Sequence, residues 1–229
     1  MKLLAGNVLP GLLALVWASV EGKQCLRNLL SSLVAWRVQI KWYVLAITLP
    51  CGVFAASFCA LLVFFPVKLS WPPLLLLGTT LLSLPFGPLW EEIAWRAFAL
   101  RKLQGRYSRL VSALIIGLYW AVWHIPLWLV TLNYLTATLL MIICVNLISW
   151  SVIFAFLYDR SGQSLPVTIL LHAAYFTVQN LVAFTVSQGT LHIIPIAAAL
   201  SVCLAIIVAN EWSAGADESH APDGSPLPL

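Results

Sequence analysis

LTATLLMIICVNLISWSVIFAFLY, residues 135–158, contains no Asp, Glu, Lys or Arg. Wound as an α-helix at about 1.5 Å per residue, it reaches roughly 36 Å, enough to cross a hydrocarbon core about 30 Å thick. Comparable apolar stretches lie on both sides of it, at 5–20, 43–65, 72–100, 109–131, 165–186 and 190–209. Lipid offers no hydrogen-bond partner to a peptide group, so a spanning segment must be a helix or part of a closed barrel. Barrel strands would show polar and apolar residues alternating with period two, and none of these stretches does. The expected fold is therefore all-α, a polytopic transmembrane bundle of about seven spans. Composition agrees: 62% of the 229 residues are hydrophobic and 9% charged, with a mean hydropathy of +0.96. A soluble domain could not keep its exterior wet with so little polar surface. Eleven Trp and six Tyr suit the aromatic belts at membrane–water interfaces. A net charge of +4 gives no reason to expect nucleic acid, and the five cysteines lack metal-ligand or CxxC spacing, which makes them packing thiols.

The basic residues set the orientation. Lys23, Arg27, Arg37 and Lys41 fall before the second span, Arg101, Lys102, Arg106 and Arg109 between the third and fourth, and Arg160 after the fifth. With seven alternating spans all nine lie on one side, which the positive-inside rule makes cytoplasmic. The N-terminus is then outside and the C-terminus cytoplasmic, as expected in a bacterial plasma membrane. Residues 1–42 read as an N-terminal helix followed by an amphipathic interfacial segment at 24–40. Residues 43–209 form the bundle, and 210–229, ending ADESHAPDGSPLPL, is too polar and too rich in Pro and Gly to pack, hence a disordered tail. The first 20 residues resemble a signal peptide loosely, but without an A-x-A site a retained helix is the better reading.

Inside the third segment stands LWEEIAWRAF (89–98), with Glu91, Glu92 and Arg96. An ionised side chain at membrane depth costs on the order of 2.5–3.5 kcal/mol. At about 100° per residue Glu92 and Arg96 share a face and can pair, whereas Glu91 points elsewhere. His124 in YWAVWHIPLW and His172 in ILLHAAYF lie deep in later segments, each with an aromatic residue one turn away, Trp120 and Phe176. A Glu–Arg pair alone is commonly structural, and a single intramembrane His commonly fastens helices. A free Glu together with two His can instead hold and deprotonate a water for attack on a carbonyl. The same three residues could ligate a metal, but without HExxH or another close ligand pair no metal and no cofactor is expected. His192 and His220 read as solvated.

EEIAWR (91–96) matches an EExxxR motif, Trp120 to His124 an FxxxH motif with Trp in the Phe position, and His172 a third-motif histidine. In order, spacing and helical context these resemble the CPBP family of intramembrane glutamic endopeptidases, the CAAX proteases and bacteriocin-processing enzymes, over a core at about 70–180. The resemblance implies a membrane-embedded, metal-independent peptidase acting on membrane-associated peptides or proteins in the bilayer. It implies Glu91 and His124 as the groups that activate water, His172 at the oxyanion, and Glu92 with Arg96 in support. Trp120 and Phe176 would line the substrate site. The family commonly has Asn where this chain has Phe176, so an oxyanion donor must come from elsewhere, with Asn146 the first candidate. Family members often carry another helix ahead of the one at 5–20, which would make Met1 the start of a short form. The competing reading is a non-catalytic binding or immunity-type member of the same fold. A transporter is disfavoured, because no internal repeat is evident.

Overall fold

The computed structural model describes residues 2–70, 78, 87–131, 135–186 and 190–217. Most of the first half of the third apolar segment and residues 218–229 of the tail read as disordered lie outside the described residues. Every regular element among the described residues is a helix. Helix α1 spans Lys2–Glu21, α2 Lys23–Leu33 and α3 Ile40–Phe64. A composite helix follows, made of α4 (Pro88–Glu92), a π-helix (Ile93–Leu100) and α5 (Arg101–Gln104). Then come α6 (Arg109–Thr131), α7 (Ala137–Arg160), α8 (Leu165–Thr185) and α9 (Thr190–Asp217).

Five described helices have the length and apolarity to cross a membrane: Ile40–Phe64, Arg109–Val130, Ala137–Arg160, Leu165–Thr185 and His192–Trp212. With α1 and the composite helix they form an integral membrane bundle of about seven spans. Pro10, Pro50, Pro126 and Pro195 sit inside helices, as bundles permit when neighbours re-satisfy the freed carbonyls. The amphipathic segment expected over 24–40 is helical only to Leu33.

Helix α7 is the axis of the bundle. It packs along α6 on one side and α9 on the other, while α3 packs along α8. Its Trp150, Ile153, Phe154, Leu157 and Tyr158 are wholly buried. Little separates lipid tails from apolar side chains energetically, so such contacts depend on close backbone approach at small residues. At Gly117 an added Cβ would lie 2.8 Å from Ile148 Cα on α7, and at Gly11 one would lie 2.7 Å from the Trp90 carbonyl oxygen beside the glutamates. Ser151 reinforces the first approach by donating to the Ala113 carbonyl at 2.9 Å.

The charged loops meet at one end of the bundle. Lys102 pairs with Glu21, Arg101 donates to the Asn28 carbonyl at 3.2 Å, and Gln104 donates to Asp159 at 2.9 Å. Arg160 donates to the Glu211 carbonyl at 3.2 Å, which brings the end of α9 to the same face. The tight turn from α7 to α8 closes through Gly162 and Gln163, both left-handed at φ 71° and 63°, and Ser164 ties it to the Ala35 carbonyl at 2.6 Å.

Candidate active site

Glu91 and Glu92 end α4, and the chain then widens into eight residues of π-helix. Such winding is uncommon and concentrates at functional sites. It departs from the regular α-helical step, yet Glu92 still reaches Arg96, with Nη1 3.3 Å from Oε1 and both side chains wholly buried.

The two glutamates have different surroundings. Glu92 Oε1 accepts from Arg96 and also lies 2.8 Å from His172 Nδ1, so α4, the π-helix and α8 are joined through one oxygen. Glu91, 5% exposed, accepts a hydrogen bond at Oε2 from the Trp120 indole N–H at 2.9 Å. Among the described residues it forms no ion pair within 4 Å.

Trp120 organises the site. Its backbone carbonyl lies 2.8 Å from His124 Nδ1. A carbonyl can only accept, so Nδ1 carries the proton and the neutral ring keeps its lone pair at Nε2. The two imidazoles lie edge-on to the same indole, His124 at 5.9 Å and His172 at 5.6 Å between centroids. Arg96 lies over the rings of Trp120 at 4.9 Å and Phe154 at 4.5 Å, a cation–π arrangement that helps to hold a guanidinium out of water. Arg96 Nε and Nη2 and Glu92 Oε2 are buried with no hydrogen-bond partner among the described residues.

Trp120 contacts Glu91 and both imidazoles and, at 2% exposed, leaves little surface with which to line a substrate site. Phe176 was expected on the His172 face, but it is 40% exposed. The buried stripe of α8 runs through Thr168, Leu171, His172 and Tyr175, and the three-residue step to Tyr175, not the four-residue step to Phe176, stays inside. Asn146 lies next to this stripe, its amide donating to the Tyr175 hydroxyl at 3.0 Å while its Oδ1 is buried with no partner among the described residues. Tyr175 and Phe154 were not singled out from sequence. The heptad-like spacing 168, 171, 172, 175 was the available signal for Tyr175, whereas Phe154 joins the site only through packing between helices. Among the described residues no three His, Cys, Asp or Glu side chains converge to hold a metal ion.

Comparison with known proteins matches this part of the chain. Residues 70–178 fit the sequence profile of the Rce1-like type II CAAX prenyl endopeptidases. A CAAX prenyl protease 2 from Methanococcus maripaludis is 41% identical over 44 residues, 19% of this chain and 16% of that protein. The similar stretch thus spans about a sixth of that relative. The core that carries Glu91, Glu92, Arg96, His124 and His172 is thus similar to the CPBP/CAAX protease family.

Proposed function

We propose that this protein is a glutamate-dependent membrane endopeptidase, acting without a metal on membrane-associated peptides or proteins that reach it from the cytoplasmic leaflet. The observation that supports this most directly is the division of labour between adjacent carboxylates. Glu92 is committed to Arg96 and His172, whereas Glu91 is held by one neutral donor. Glu91 and His124 Nε2 would grip a water. Glu91 takes its proton as the hydroxide adds to the scissile carbonyl, and returns it to the nitrogen as the C–N bond breaks. His172, anchored at Nδ1 against Glu92, would turn its other edge toward the oxyanion, with the spare amide proton of Asn146 as a donor.

The test is cleavage of membrane-associated peptides by purified wild type and Glu91→Gln. Glu91→Gln should remain folded and abundant yet lose turnover, and wild-type turnover should survive exhaustive chelation. Equal rates for the two proteins would overturn the assignment. Loss of activity in chelator, restored by one equivalent of zinc, would favour a metal enzyme. One observation favours a second reading, a non-catalytic binding member: Phe176 stands where the family commonly has Asn. Binding of peptides without cleavage by any variant would select it.

A further inference from the structure

At the end of the bundle where the basic loops gather, a cavity of about 640 Å³ opens between the start of α3 and the ends of α7 and α9. Its walls include Arg37, Lys41 and Arg160, together with Trp42, Phe156 and Glu211. Each cation lies beside an aromatic ring: Arg37 over Trp36 at 5.0 Å, Lys41 over Trp42 at 4.9 Å and Arg160 over Phe156 at 5.7 Å. The rings restrict these long side chains and so lower the entropy lost when they close on a ligand. The one acid in the wall leaves the cations in excess, because Arg160 donates to the Glu211 backbone carbonyl and not to its carboxylate. Gln39 caps the 25-residue α3 without a side-chain hydrogen bond, so the positive end of that helix adds to the field.

We infer that this cavity binds the phosphate headgroup of an anionic phospholipid. The volume falls within the roughly 300–1,000 Å³ of small-molecule sites, more than a bare phosphate needs. Trp42 and Phe156 offer apolar surface beside the cations, and α3 and α7 are membrane-spanning, which puts the cavity at headgroup depth. Basic pockets between helices on the cytoplasmic side are suited to anionic headgroups. The inference does not depend on the peptidase reading, since none of these residues belongs to the Glu91 site.

The full chain, purified in a neutral detergent, is titrated with phosphatidylglycerol, phosphatidylcholine or glycerol 3-phosphate, and bound lipid is read by native mass spectrometry. Phosphatidylglycerol should bind wild type in preference to phosphatidylcholine. Arg37→Gln with Lys41→Gln, both exposed side chains, should weaken it about tenfold or more. The control pair Lys23→Gln with Arg106→Gln, on the same face but outside the cavity, should bind as wild type. Equal weakening in the control would mean diffuse surface charge and overturn the site. Equal binding of phosphatidylcholine would remove the anion requirement, and full competition by glycerol 3-phosphate at equal concentration would mean a soluble phosphate ligand; either result overturns the lipid assignment.

Discussion

Glu91 and Glu92 are chemically identical neighbours, and the side chains around them give each a separate task. Trp120 is the residue that separates them, since its N–H reaches Glu91 while its ring lies under Arg96. Trp120→Phe keeps an aromatic ring, as in the FxxxH pattern, but removes that donor. A hydrogen bond to a charged group is worth about 1.5–3 kcal/mol, and its loss leaves Glu91 free to leave the attack geometry. The expected result is a fall in kcat of about tenfold or more with KM and abundance retained; an unchanged kcat would mean that the indole N–H is dispensable. The oxyanion side has its own test. Phe176 is 40% exposed, so Phe176→Asn should leave the rate near that of wild type. Removing the half-buried Asn146 amide should cost about a hundredfold or more in single turnover if it is the second donor. Faster cleavage by Phe176→Asn would show instead that position 176 reaches the reacting carbonyl.

Among the helices, the composite element from Pro88 to Gln104 departs from regular α-helical winding. It holds a buried Glu92–Arg96 pair, which His172 of α8 joins from outside the element. Breaking a buried pair by removing one partner costs about 3–5 kcal/mol, because the remaining charge keeps its desolvation penalty. Arg96→Leu should accordingly lower the unfolding midpoint sharply and reduce abundance, read by thermal unfolding in detergent. Glu91→Gln, which breaks no ion pair, should leave the midpoint near wild type. Similar midpoints for all three proteins would show that the Glu92–Arg96 pair does not hold the element. The motif EExxxR was legible in the chain because a helical repeat brings i and i+4 together. The change of winding after Glu92 was not, since neighbouring elements, α1 at Gly11–Trp90 among them, help to decide it.

For the whole molecule, the loops carrying Lys23 through Lys41, Arg101 through Arg109 and Arg160 lie at one end in the structure, as their contacts show. The positive-inside rule then predicts a cytoplasmic 101–108 loop and a cytoplasmic C-terminus. In a cysteine-free background, a single Cys in either place should resist an impermeant thiol reagent added to intact cells and react after permeabilisation. Labelling from outside would reverse the orientation.

The sequence by itself determined the solvent and the class of fold, because runs such as 135–158 cannot be stable in water and can be stable in lipid only as helices. It also determined which charges needed an explanation, since an ionisable group at membrane depth is costly wherever its helix ends up. What only the tertiary structure decided was the pairing. His172 lies eighty positions from Glu92 and Trp120 twenty-nine from Glu91, and no periodicity in one helix fixes how another is rotated against it. That rotation follows from the packing of Gly117 on α7 and of α8 on α3. It is why Tyr175 faces inward with Asn146 while Phe176, one residue on, stays 40% exposed.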